Sequence, residues 1–346
     1  MKYVHFVGVD VSKETLDYSV LHQGEKVLQF KSENSEKGIK TFLKELRKIK
    51  GFQINETIVC MEDTGVYNNP LTSFLYAQKI DFWVQSAMHI KASTGLVRGK
   101  NDAVDAHRIA LYLYKNQSDI KLWEPPRKVI EHLKQLYSLR NRLLLAKQKL
   151  SVSTKEVTKF IDSDIVKEIN KSAQKSIKAL EKDQMEVEKK MKLLILADER
   201  LKNLFKIVTS IIGIGEITAI KIIISTNEFI GINCPKKFAC YAGVAPFEHS
   251  SGSSVRGRNR VSHKANKSVK KLLHLSAMTA IVHDEHIREF YLKKVEKGKP
   301  KMLVINAVRN KLIQRIFACV RNNEMYSKNY FSPFFEEKII EHLDLT

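Results

Sequence analysis

Cysteine is scarce in this 346-residue chain: four residues, Cys60, Cys234, Cys240 and Cys319, with no Cys-x-x-Cys pair and no clustered histidines. That excludes a disulfide framework and a thiolate zinc site, and the four read as ordinary, mostly buried thiols. No apolar run reaches the ~18 residues that a membrane-spanning helix needs. The N-terminus has no basic start, apolar stretch or cleavage site, so a cytoplasmic protein without a membrane partner is expected. Proline is rare, and two of the seven stand together at Pro125-Pro126. Acidic residues are also in deficit, 38 against 59 Lys and Arg, for a formal charge of +21. So large an excess is self-repelling unless phosphates neutralise it, and nucleic acid is the expected partner. The excess is uneven: residues 1–110 carry about +2 and the remainder about +19.

What is present suffices for folded domains, since 43% of the residues are apolar. Val4 to Val11 is a β-branched apolar run with hairpin neighbours at Leu16 to Leu21 and Lys26 to Phe30. Helical spacing follows over Lys37 to Lys50, then a short strand at Thr57 to Met61. A helix through Gln78, a strand at Ile80 to Val84 and a helix over Asp102 to Tyr114 complete an α/β domain with a central sheet. Trp123-Glu124-Pro125-Pro126 breaks the pattern. Beyond it Ile130, Leu133, Tyr137 and Leu144 open a long helix. Ile177, Leu180, Gln184, Val187, Met191 and Leu194 step by threes and fours, as in a coiled-coil seam or one stripe of a helical bundle. Ile211-Ile212-Gly213-Ile214-Gly215-Glu216 places two glycines ahead of a helix, where free N–H groups can meet a phosphate. His249 to Ser254 and Arg256 to Arg260 read as a Ser/Gly loop followed by a basic loop, with His249 an ordinary polar member. The last twenty residues, with Phe331, Phe334 and Phe335, are expected to pack on the body or on a partner.

Acidic residues at strand ends and on one helix carry the chemistry. Asp10 closes Val7-Gly8-Val9-Asp10, Glu62 closes Val59-Cys60-Met61, and both belong at the sheet edge where open α/β folds bind ligands. Asp102 and Asp105, three apart on a helix, share a face. Four hard oxygen donors suit Mg²⁺ or Mn²⁺, and a pair of such ions can clamp the attacking and leaving oxygens of a phosphodiester. Taken singly, each carboxylate is as readily a cap or a surface charge, and Asp17, Asp63 and Asp81 are read that way.

Four blocks in combination set the assignment: Val7 to Lys13, Met61-Glu62-Asp63-Thr64-Gly65-Val66-Tyr67, Lys100-Asn101-Asp102-Ala103-Val104-Asp105-Ala106, and Ala242-Gly243-Val244-Ala245-Pro246 running to Ser251-Gly252. Through them nearly the whole chain resembles the DEDD transposases of bacterial insertion sequences, the insertion sequence one-hundred-and-ten family. The resemblance implies a RuvC-like domain of ribonuclease H fold over residues 1–122, with Asp10, Glu62, Asp102 and Asp105 as a metal-binding tetrad. It implies a coiled-coil helical region over 123–205, a mainly helical transposase domain over 206–325, and a tail over 326–346. It also implies a serine nucleophile that joins covalently to DNA, here Ser251, with Ser250 as the alternative. A serine needs activation by a base or a metal, so the two domains would have to meet, within one chain or across a dimer or tetramer. Arg256, Arg258, Arg260 and Lys264 are then expected to hold phosphates. The family's Gly-Asn after the basic loop is Ala265-Asn266 here. A non-coding bridge RNA is a further implied partner, bound by backbone and shape. The expected activity is RNA-guided transposition, with metal-dependent DNA cleavage and exchange. A junction-resolving endonuclease that hydrolyses DNA without a covalent serine is the alternative. A sugar kinase would need glycine-rich phosphate loops that are not evident, and a non-catalytic binder would have no use for the tetrad.

Overall fold

Central strands covered on both faces need continuous apolar runs, and β1 (His5–Val11) and β4 (Thr57–Glu62) have them. In the computed structural model, which describes residues 2–94, 101–157, 160–251, 255–261 and 265–327, they are neighbours in a five-stranded sheet. Its order is β3-β2-β1-β4-β5, with β2 at Thr15–His22, β3 at Glu25–Glu33 and β5 at Asp81–Gln85. The first three strands are antiparallel, while β1, β4 and β5 run parallel. The parallel crossovers use helices, as they must. Helix α1 (Glu36–Leu46) starts at Ser35, whose hydroxyl accepts from Gly38 N at 3.2 Å, and α2 (Asn69–Ala77) starts at Asn68 with proline in its first turn. Both cover one face, over Val7, Val9, Tyr18, Phe42, Val59, Met61 and Leu75. Helices α3 (Ala87–Thr94) and α4 (Asp102–Lys115) lie on the other, over Phe6, Ile58, Cys60, Ile109 and Leu113.

The chain divides into two units, Met1–Pro125 and Pro126–Thr346, with the break inside the proline pair. The second unit is mostly helical. It opens with α5 (Lys128–Val157) and α6 (Ser163–Ala197), an antiparallel hairpin tied by Arg140 to Glu188 at 2.7 Å and Lys147 to Glu181 at 3.6 Å. The stripe from Ile177 to Met191 lies on the packed side of α6, but at its end Ile195 is fully buried and Leu194 only partly so, the seam having drifted by one residue.

Helices α7 (Glu199–Thr209), α8 (Glu216–Thr226), α9 (Pro235–Tyr241), α10 (Lys267–His283), α11 (Glu285–Glu296) and α12 (Lys301–Asn322) follow. They enclose a core of Val208, Ile220, Ile223, Phe238, Leu273, Ala277, Val308, Leu312 and Ile316, which also takes in Leu133 of α5 and Ile195 of α6. Gly213 is a packing residue: a Cβ there would fall 2.5 Å from Ser276 O of α10, at a φ of +94°. Gly215 caps α8 and is open to solvent.

Between α9 and α10, the segment expected as a Ser/Gly loop and a basic loop is a two-stranded antiparallel sheet, β6 (Pro246–Ser251) and β7 (Val255–Val261). Val255 and Val261 put β-branched residues at the two ends of β7, and cross-strand pairing outweighs the linker-like composition. The thiols are all free, but only Cys60 is buried, so the expectation of mostly buried cysteines is corrected. No helix among the described residues is long and apolar enough to cross a membrane.

One ion-pair centre holds the head of the second unit. Glu228, 3% exposed, follows α8 in a run of three left-handed residues, and accepts from Arg127 Nη2 at 2.6 Å and Nε at 2.9 Å. Arg127 also bridges Asp198, the cap of α7. Removing one partner of such a pair strands the other, at about 3 kcal/mol. Glu228→Ala is therefore expected to lower the unfolding free energy by about that much in a urea melt, with Glu228→Gln intermediate.

Candidate active site

Side chains alternate along a strand, and that alternation fixes the faces of the two central strands. Val7 and Val9 on β1, with Val59 and Met61 on β4, point towards α1 and α2, whereas Phe6, Ile58 and Cys60 point towards α4. By the same parity Asp10 and Glu62 belong to the α4 face. They lie one residue past the pair Val9 and Met61, at the C-terminal edge of the parallel strands.

What brings α4 to them is Gly8. A Cβ on that residue would lie 2.2 Å from both Ala106 O and Ala110 N, so α4 rests directly on β1 only because no side chain intervenes. Two further contacts pin the helix: Ser19 Oγ and His107 Nδ1 are 3.2 Å apart, and Gln29 Nε2 donates to Ala103 O at 2.8 Å. Asn101 caps it, accepting from Ala103 N at 2.9 Å, and puts Asp102 and Asp105 in the first turn, where free N–H groups favour negative charge.

Asp10 lies in the field of the other carboxylates. Burial, and then the charges of Asp102, Asp105, Glu62 and Asp17, push Asp10 up to about 6. Burial also raises Glu62, opposed by Lys91 and reinforced by Asp105 and Asp63. Asp105 Oδ1 accepts from Arg108 Nη1 at 2.6 Å. Asp102 is exposed, with Lys31 Nζ 3.9 Å from its Oδ2. Among the described residues no three carboxylate, imidazole or thiol side chains stand close enough to hold a metal ion in their present rotamers. The donor set, all oxygen and mutually repulsive around a half-buried aspartate, nevertheless fits a hard divalent cation in kind, because such an ion relieves that repulsion.

Of the residues read as bystanders, two are so placed. Asp81 begins β5, at the opposite end from Glu62, and accepts from Lys2 Nζ at 2.6 Å and the Tyr3 hydroxyl at 2.7 Å. Asp63 accepts from Gly65 N at 3.1 Å. Asp17 is different: it faces Asp10 across the β1–β2 pairing, is 7% exposed, and pairs with Lys31 at 3.1 Å. Its place opposite Asp10 formed no part of the reading of Asp17 as a cap or surface charge. Counting the strand register back through the turn at Ser12-Lys13-Glu14 would have found it.

Two family models match the chain. One, of DEDD transposases of the IS110 group and described as Transposase, covers residues 7–161 and thus every carboxylate above. The other, described as Transposase IS116/IS110/IS902 family, covers residues 205–292. The chain belongs to the IS110 family of transposases. It is a DNA recombinase of the transposase class. Among its relatives is the pilin gene-inverting protein of Moraxella bovis, 23% identical over 333 residues, which are 93% of this chain and 98% of that protein. The Moraxella lacunata protein of the same name is similar to the same extent. An uncharacterized 43.6 kDa protein of insertion element IS110 from Streptomyces coelicolor is 27% identical over 120 residues, 35% of this chain and 29% of that one.

The second family match spans β6 and β7. Their backbones pair Ser251 with Val255 and Ser250 with Arg256. The side chains of Ser250, Ser251, Arg256, Arg258 and Arg260, and the whole of Lys264, lie outside the described residues.

Proposed function

We propose that this transposase cuts and rejoins DNA with a tetrad of Asp10, Glu62, Asp102 and Asp105 in a RuvC-like front domain and a nucleophilic Ser251 from the back domain. The observation that supports it most is the gathering of carboxylates from β1, β4 and α4, elements separated by most of the first unit, around Asp10. A mixed five-stranded sheet with acidic residues at the ends of its parallel strands suits the RuvC-like reading. The tetrad would hold Mg²⁺ or Mn²⁺, which when bound stabilises the charge that develops on the phosphate. Ser251 Oγ attacks phosphorus, one backbone P–O bond breaks, and the departing sugar oxygen takes a proton. The new phosphoserine ester keeps the energy of the broken bond, so a second DNA end can reverse the step and complete an exchange. Inversion, the activity in the name of the Moraxella relatives, is an exchange of that kind. The basic residues Arg256, Arg258, Arg260 and Lys264 hold the DNA backbone beside the serine. A bridge RNA paired to both DNA partners, and a dimer or tetramer that joins front and back domains, complete the reading. On it the coiled-coil region runs over residues 123–205, the transposase domain over 206–325 and the tail over 326–346, and the protein works in the cytoplasm.

The test is covalent trapping. Incubated with element-end DNA, its copurified RNA and Mg²⁺, then denatured, the protein is expected to carry a DNA adduct that a Ser251→Ala variant lacks. Full cleavage by Ser251→Ala with no adduct in either protein would instead establish the hydrolytic, junction-resolving alternative.

A further inference from the structure

Buried charges in the second unit come with opposite partners: Glu228 with Arg127 and Arg200, Asp284 with Arg315. Arg309 departs from this. It sits in the middle of α12 and is 5% exposed, yet its hydrogen bonds go only to neutral groups. Nη2 donates to His274 Nδ1 of α10 at 2.6 Å, Nη1 donates to Asn306 Oδ1 at 3.3 Å, and Nε has no partner among the described residues. Because a guanidinium only donates, His274 must accept through Nδ1, which makes its ring neutral with the proton on Nε2. The cluster is therefore a cation beside an N–H donor, with no negative charge hydrogen-bonded to it among the described residues. Leaving a charge unpaired in a protein interior is costly, and an apolar side chain would fill the same space without that cost.

The surroundings indicate what balances it. Asn306 Nδ2 donates to Val244 O at 2.7 Å, so the same turn of α12 is fastened to the segment that leads into β6. His274, unlike Arg309, is only half-buried. A transposase handles DNA, whose backbone offers a singly charged, oxygen-rich acceptor that a guanidinium binds well.

We propose that Arg309, with His274 and Asn306 beside it, is a binding site for one backbone phosphate of the DNA. The site uses neither the carboxylates nor Ser251, so it stands or falls separately from the strand-cutting assignment. Its test compares full-length wild type with Arg309→Met, reading melting temperature and the anisotropy of a labelled DNA duplex across a KCl series. Arg309→Met is expected to melt no lower than wild type, while binding at low salt weakens about tenfold and the slope of log K against log [KCl] becomes shallower by about 0.9, as for one lost phosphate contact. Arg309→Gln, which keeps hydrogen bonds to its neighbours, is expected to show the same change in slope and provides a folded variant should the methionine fail to fold. Wild-type affinity and slope in either folded variant would overturn the proposal, as would a loss confined to a labelled RNA hairpin with DNA binding intact.

Discussion

Asp10→Asn is expected to abolish strand cleavage, by about 10³-fold or more, and to leave the protein at least as stable as before. The first half follows from position: Asp10 is the half-buried member around which the other carboxylates gather. On the proposed mechanism, loss of its charge removes the carboxylate that would share cations with those of β4 and α4. A thousandfold loss corresponds to about 4 kcal/mol of transition-state stabilisation, within what a metal clamp supplies. The second half follows from the sign of the shift. A carboxylate whose folded pKa lies above its unfolded value stabilises the fold only while protonated. Without metal, the wild type should therefore lose stability as pH rises from about 4 to about 6 and stay at the lower value above that. Asp10→Asn should lack that decline. Thermal melts in EDTA between pH 4 and 8, beside a gel assay of cleavage in Mg²⁺, measure both. A variant that cleaves normally, or one that fails through unfolding, would contradict this role for Asp10.

Gly8→Ala carries the second large effect, although it alters no reacting group. The added carbon would meet backbone atoms, Ala106 O and Ala110 N, each 2.2 Å away, and backbone cannot swing aside as a side chain can. Either β1 or α4 must shift. Overpacking of this kind costs about 1–3 kcal/mol, and a contact with helix backbone belongs at the upper end. The same shift lifts the first turn of α4, with Asp102 and Asp105, away from Asp10. Cleavage is expected to fall far more than the loss of folded protein explains, with activity measured well below the melting temperature. A fully active and stable Gly8→Ala would show that the close approach of α4 to β1 is not what assembles the site.

How much of this was visible beforehand depended on how local each signal was. The apolar runs of β1 and β4 and the helix from Asp102 announce themselves, because burial on both faces and helical apolar spacing leave marks within a few residues. The family blocks singled out Asp10, Glu62, Asp102 and Asp105, and strand parity alone places the first two on one face. Asp17 escaped because its place opposite Asp10 is a matter of register across a turn, not of motif. Ser250 and Ser251 fall on a strand where Ser/Gly composition suggested a linker, pairing having prevailed over local preference. Arg309 belongs to none of the family blocks. Its oddity lies in what it does not touch, which only the packing of α10 against α12 reveals.

The central claim is that carboxylates from three separate elements act together on a divalent cation. Titration of the purified protein with Mn²⁺, followed by the loss of the free-ion electron paramagnetic resonance signal, tests it most directly. The wild type should bind Mn²⁺ saturably, Asp10→Asn and Asp102→Asn should each weaken that binding severely, and Asp81→Asn, at the far end of β5, should leave it unchanged. Equal binding by all four proteins, or none by the wild type, would contradict the account.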